Sequence, residues 1–252
     1  MHDKPVSWRW PKLIAHRGAG RDAPENTLAS IRMGAQHGFA MMEYDVKLTK
    51  DGVAILLHDD TVDRTSNGTG LAAGKTFNEL ATLDFGAWHS CDYAGEPIPT
   101  LHSVAACTIA RGIHSNIEIK PSAGADAPTG TQVARLARQL WANAVVPPLL
   151  SSFSEAALDA AGREAPELPR ALLVEKELPP DWLQRAKRLG CIGVNLNNQY
   201  TSIEVAKAVR DAGLTLVIWT VNDMARAQEL LQYGCNAIVT DNISTIRPSR
   251  LA

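Results

Sequence analysis

At 252 residues, with 45% hydrophobic and 21% charged side chains, the chain has an ordinary globular composition and can bury one large core or two small ones. A formal net charge of −2 gives no electrostatic case for a nucleic-acid partner or an anionic membrane surface. No apolar run approaches the roughly 20 residues that span a bilayer. Met1-His2-Asp3-Lys4-Pro5 opens no signal-type apolar segment, so a cytoplasmic protein without membrane insertion is expected.

Short apolar runs alternate with helical patterns along the chain. Residues 12–15 read as a strand, 27–37 as a helix and 40–46 as a second strand. Asp51-Gly52, between two strand-like runs, is a hairpin signal. Residues 53–57 are therefore expected to fold back along an extended second strand and return His58 to about the level of Glu43. Residues 60–99 break the rhythm: they are rich in Thr, Gly and Asp, with Phe77, Phe85, Trp88 and Tyr93 scattered among them. They are expected to form a small cap inserted after the second strand, over the strand ends.

Beyond the insertion, helical patterns at 101–111, 129–141, 154–163, 180–189, 202–212 and 223–233 alternate with strand-like runs. Those runs fall at 117–119, 148–151, 170–174, 192–196, 214–220 and 237–240. Ser154 and Asn222 are placed as N-caps, and Gly190, Gly213 and Gly234 as C-terminal stops. Eight buried strands separated by helices predict an α/β fold, a closed (β/α)8 TIM barrel in one domain over 1–252 with the insertion at about 60–99. A doubly wound open sheet is the alternative. No Gly-rich phosphate loop follows the first strand to support it, only His16-Arg17-Gly18-Ala19-Gly20.

Residues i and i+2 of a strand share a face, so Glu43 projects with Asp45, and Glu118 with Lys120. At the C-terminal mouth of a barrel, three such carboxylates repel one another unless a cation joins them. An oxygen-ligated Mg²⁺ or Ca²⁺ suits that set; surface carboxylates paired with Arg or Lys are the plainer alternative. His16 and His58 each end an apolar run beside these groups. One histidine can remove a proton while the other donates one to a leaving oxygen, which fits cleavage of a phosphodiester. Arg17 and Lys120 supply fixed positive charge for a phosphate, and Trp219 serves either as a wall of the mouth or as core. His2, in a loose N-terminus, and His37, His89, His102 and His114 are expected in structural or exposed roles. Cys91, Cys107, Cys191 and Cys235 have no Cys-x-x-Cys spacing and are expected as reduced thiols, Cys191 and Cys235 as buried hydrophobes.

These residues resemble the glycerophosphodiester phosphodiesterase family. The likeness runs through His16-Arg17-Gly18, Pro24-Glu25-Asn26-Thr27, Glu43-x-Asp45, Leu48-Thr49-x-Asp51-Gly52, His58-Asp59 and Arg64-Thr65. It continues through Glu118-Ile119-Lys120-Pro121, Ser151-Ser152-Phe153, Trp219-Thr220-Val221-Asn222 and Thr240-Asp241, and is strongest toward the cytoplasmic bacterial enzymes. The resemblance implies a (β/α)8 barrel and metal ligation by Glu43, Asp45 and Glu118. It also implies acid/base roles for His16 and His58, and phosphate contacts from Arg17 and Lys120. The implied reaction is hydrolysis of glycerophosphocholine, glycerophosphoethanolamine and similar diesters to sn-glycerol 3-phosphate and an alcohol. Attack by the glycerol 2-hydroxyl through a cyclic phosphate and direct attack by water both remain open. A lysophospholipid-cleaving phospholipase D keeps the same fold, but residues 60–99 hold no amphipathic helix of the length an acyl chain needs. A binding or regulatory barrel would have little reason to keep two histidines, three carboxylates and Lys120 together. Fold alone would not exclude a metal-dependent sugar isomerase or lyase, but the His16/His58 pair with Arg17 points to phosphate.

Overall fold

The computed structural model describes residues 7–250; His2 and the rest of the opening Met1–Pro5 segment lie outside the described residues. Eight parallel strands close into a barrel: β1 (Leu13–Ala15), β2 (Met41–Leu48), β4 (His114–Ile119), β5 (Leu149–Ser152), β6 (Arg170–Val174), β7 (Gly193–Asn197), β8 (Thr215–Trp219) and β9 (Ala237–Thr240). The β1–β9 and β1–β2 pairings join the ends of the sheet, so the open doubly wound alternative is excluded. Around it run α1 (Leu28–Gln36), α3 (Leu101–Ala110), α4 (Asp126–Leu140), α5 (Glu155–Glu164), α6 (Trp182–Arg188), α7 (Ile203–Asp211) and α8 (Met224–Gln232). Among the described residues no helix is long and apolar enough to cross a membrane.

The hairpin at Asp51-Gly52 forms as expected, with β3 (Ala54–Leu56) antiparallel to the end of β2. Val46 pairs with Leu56, and Leu57 N–H donates to the Asp45 carbonyl at 3.1 Å. His58 thus falls beside Tyr44, one residue from the expected level. Residues after it pack on β3 around a separate small core of Ile55, Leu57, Val62, Ala72, Leu80, Phe85 and Ile98, which includes the short α2 (Phe77–Leu80).

Three helix starts differ from expectation, among them α6, which begins at Trp182 rather than 180. α4 begins at Asp126 rather than 129, because Pro128 fits a first helical turn where no N–H partner is needed. The N-cap of α8 is Asp223, whose carboxylate accepts from Arg226 N–H at 2.8 Å, and not Asn222. Asn222 is diverted to Asp241, accepting its backbone N–H at 2.8 Å and donating to its Oδ2 at 3.0 Å. Ser154 caps α5 as expected, and Gly190, Gly213 and Gly234 all take positive φ.

Alternation divides the barrel strands between two cores. Leu13, Met42, Tyr44, Val46, Ile117, Leu150, Leu172, Val194, Leu216 and Ile238 face the helices. Ile14, Met41, Leu149, Ala171, Val217, Ala237 and Val239 fill the barrel interior, joined by Trp10. Trp10 is 7% exposed, and its Nε1–H donates to the Pro147 carbonyl at 3.1 Å. Because this inner layer is packed, the mouth above it is a floored cavity rather than a pore. Trp10→Ala should cost about 3–5 kcal/mol, as expected for emptying a buried aromatic site. Denaturant unfolding checks this, and a loss below about 1 kcal/mol would show that the stopper is dispensable.

Candidate active site

The same alternation selects the side chains at the mouth. With Met42, Tyr44 and Val46 turned outward, Glu43 and Asp45 project into the barrel from β2. With Ile117 and Ile119 outward, Asn116 and Glu118 point inward from β4, and Lys120 follows in the same phase. His16 follows β1, and His58 follows β3. A cavity of about 370 Å³ is lined by His16, Arg17, Glu43, His58, Glu118, Lys120 and Trp219, together with Asn116, Ser151, Phe153 and Asn195. Residues 60–99 contribute none of its lining. Asp45 is 1% exposed and joins Glu43 and Glu118, one oxygen of each lying within 4.8 Å of the others.

Both histidines are held through Nδ1 by a carboxylate. His16 Nδ1 is 2.6 Å from Asp241 Oδ1, and its Nε2 lies 3.8 Å from Glu43 Oε2. His58 Nδ1 is 2.7 Å from Asp59 Oδ1. Each ring therefore presents Nε2 for proton transfer. Burial alone would depress the His16 pKa, but the hydrogen bond to Asp241 and the charge of Glu43 outweigh it, so the pKa is raised. His58 moves the other way, lowered by burial and by the positive charges of Arg17 and Lys120.

The carboxylates are crowded. Burial, then the charge of Asp45, raises the Glu43 pKa, and the same two causes raise that of Glu118. Asp45 is held well below the usual carboxylate range: burial opposes this, but Lys120, Arg17 and His58 prevail. Lys120 Nζ lies 2.9 Å from Glu118 Oε1 and 3.3 Å from Asp45 Oδ1, while Arg17 Nε is 3.5 Å from Asp45 Oδ2. Two cations thus face three buried acids. Glu43 Oε1 is buried with no hydrogen-bond partner among the described residues. A hard divalent cation fits this donor set, since it would satisfy that oxygen and offset the burial and mutual repulsion that raise two of the three pKa values.

The segment between β1 and α1 orients the cluster. Arg17 adopts φ 50° and its N–H donates to Glu43 Oε2 at 3.0 Å. Asn26, at φ 59°, grips Asp45 twice, donating to Oδ2 at 2.9 Å and accepting the Asp45 backbone N–H at 3.1 Å. Gly20 is required here: at φ +58°, an added Cβ would lie 2.1 Å from the Asp241 carbonyl oxygen. Glu25 joins Arg17 Nη1 at 2.7 Å and also binds Arg64. Trp219 Nε1–H donates to the Asn195 carbonyl at 3.2 Å, and its ring meets that of Phe153 edge-on at 5.4 Å. Trp219 is therefore a half-buried wall of the mouth, packed also against the inner core.

Every site residue singled out from the sequence meets at this mouth. Asp241, Asp59, Glu25, Asn26, Arg64 and Phe153 lie in the quoted motifs, yet their contacts needed the fold. Asp241 titrates at about 2: burial would raise it, but His16 and Asn222 lower it further. A carboxylate with a depressed folded pKa stabilises the protein above its ordinary value and loses that contribution as pH falls through the folded one. Wild type should therefore exceed Asp241→Asn by about 2 kcal/mol at pH 6, the gap narrowing as pH falls from 4 toward 2. Urea unfolding across that range checks it, and a gap independent of pH would contradict the pairing.

The model of the "Glycerophosphoryl diester phosphodiesterase family" matches residues 16–245. A glycerophosphodiester phosphodiesterase of Caldanaerobacter subterraneus is 33% identical over 236 residues, covering 93% of this chain and 95% of its own. Human glycerophosphodiester phosphodiesterase 1 is 48% identical over 97 residues, 37% of this chain and 29% of its own. Among solved structures, an Oleispira antarctica phosphodiesterase in complex with the product sn-glycerol-3-phosphate superposes with a TM-score of 0.90 at 34% identity, covering 94% of this chain and 95% of its own.

Proposed function

Since the chain belongs to the glycerophosphodiester phosphodiesterase family and is a phosphoric diester hydrolase, we propose that it cleaves glycerophosphoethanolamine, glycerophosphocholine and similar diesters to sn-glycerol 3-phosphate and an alcohol. The observation that carries this reading is the meeting of two carboxylate-anchored histidines with three buried acids around one cavity. The product bound by the Oleispira antarctica relative supports the choice of product. Glu43, Asp45 and Glu118 would hold one Mg²⁺ or Ca²⁺, which when bound supplies Lewis acidity toward the phosphoryl group and lowers the pKa of a hydroxyl.

The chain's own groups do the rest. Arg17 and Lys120 line the cavity and offset the phosphate charge, which grows in the transition state. His58, with its pKa lowered, starts neutral and takes the proton of the attacking oxygen. His16, whose pKa is raised by its bond to Asp241 and the charge of Glu43, is the better proton donor of the two and donates to the leaving alcohol. Two like groups pushed apart by their surroundings divide the acid and base work between them. Phe153 and Trp219 provide the apolar wall against which the substrate lies.

The first test is enzymatic release of glycerol 3-phosphate from glycerophosphoethanolamine, read with glycerol 3-phosphate dehydrogenase. Release with Mg²⁺ or Ca²⁺ and its loss in EDTA are expected, as is a fall of about 100-fold or more in His16→Ala and in His58→Ala. No release by folded protein with any divalent ion would overturn the proposal. The pH profile provides a second test. The base must be deprotonated and the acid protonated, so kcat/KM should rise through a pKa below 6.5 and fall through one above it. A profile that only rises between pH 5 and 9 would remove His16 as the acid.

A further inference from the structure

Arg64 does not line the cavity, yet it is bonded to both loops that carry the proton-transfer and phosphate-facing groups. It stands in the segment after β3, with its side chain 45% exposed at the rim. One edge of its guanidinium meets Glu25, Nη1 to Oε2 at 2.7 Å and Nη2 to Oε1 at 2.9 Å. The other meets Asp59, Nε to Oδ2 at 2.7 Å and Nη2 to Oδ1 at 3.0 Å. Glu25 in turn takes Arg17 Nη1, and Asp59 holds His58 Nδ1. A planar fork can hold two carboxylates in fixed relative positions, which a lysine cannot do.

We propose that Arg64 is a positioning residue, fixing the Asp59 carboxylate so that His58 keeps its Nε2 aimed at the attacking oxygen. The other support of that turn is Lys47, whose Nζ donates to the Asp59 carbonyl and to Asp60 Oδ1, each at 2.8 Å. Lys47 holds the backbone; among the described residues, Arg64 is the side chain besides His58 that bonds the Asp59 carboxylate. Without Arg64, Glu25 still has Arg17, but Asp59 keeps only His58 among its side-chain partners. The damage therefore falls on proton transfer, not on phosphate binding. The inference rests on the proton-transfer role of His58 argued above.

The test compares Arg64→Met, Asp59→Asn, the double variant and His58→Ala on glycerophosphoethanolamine. Arg64→Met should lower kcat about tenfold with KM changed by less than about twofold, since small misplacements of a reacting group cost this much or more. Because exposed ion pairs contribute little to stability, its Tm should lie within about 3 °C of wild type. In the Asp59→Asn background, Arg64→Met should cost nothing further, as both changes cut the same link. Unchanged kcat in Arg64→Met, a loss confined to KM, or additive losses in the double variant would each overturn the inference. His58→Ala separates the two claims: wild-type activity there would sink the histidine reading itself. Loss in His58→Ala with full activity in Arg64→Met would sink only the role of Arg64.

Discussion

The crowding of Glu43, Asp45 and Glu118 at one side of the barrel mouth is the constraint on which the rest of the site depends. Burial disfavours charge on each, and proximity disfavours charge on all three together. A chain selected for stability alone would replace such a trio with apolar residues. Instead the surrounding loops are built to keep it: Asn26 clamps Asp45 at two atoms, the Arg17 N–H supports Glu43, and Lys120 bridges Glu118 and Asp45. Two of these supports sit in left-handed backbone, at Arg17 and Asn26, a conformation maintained by the β1–α1 turn around Gly20 and Asp241.

The histidines answer to the same economy of charge. His16 is paired with Asp241 and stands near Glu43, surroundings that favour its protonated form. His58 faces the positive side of the cluster, and the carboxylate at its back is itself engaged by Arg64. Two residues of the same type, one after β1 and one after β3, therefore have their pKa values moved in opposite directions by what stands around them. The fold supplies this difference by drawing one partner from the last barrel strand and the other from the turn after the hairpin.

Much of this was legible in the sequence because it is local. Apolar runs locate the strands, and the two-residue period puts Glu43 with Asp45 and Glu118 with Lys120 on one face. Asp51-Gly52 announces the turn that returns His58 to β2. What was not legible depends on closure of the barrel. Asp241 lies 225 positions from His16 and becomes its partner only because β9 pairs with β1. Asn222 has the side chain of an N-cap, and local pattern places it there, but a nearer demand for the Asp241 backbone takes it and leaves Asp223 as the cap. Arg64 and Glu25 are surface-type residues in irregular segments, and no periodicity connects them.

If Glu43, Asp45 and Glu118 hold a cation as proposed, its arrival must offset the burial and mutual repulsion that raise the pKa values of Glu43 and Glu118. Calorimetric titration of Mg²⁺ and of Ca²⁺ into EDTA-stripped protein at pH 7, repeated in buffers of different ionisation enthalpy, tests it most directly. One site is expected, its occupation releasing protons, because the raised pKa values of Glu43 and Glu118 fall when a cation arrives. Saturable binding without proton release, or no binding of either ion by folded protein, would contradict it.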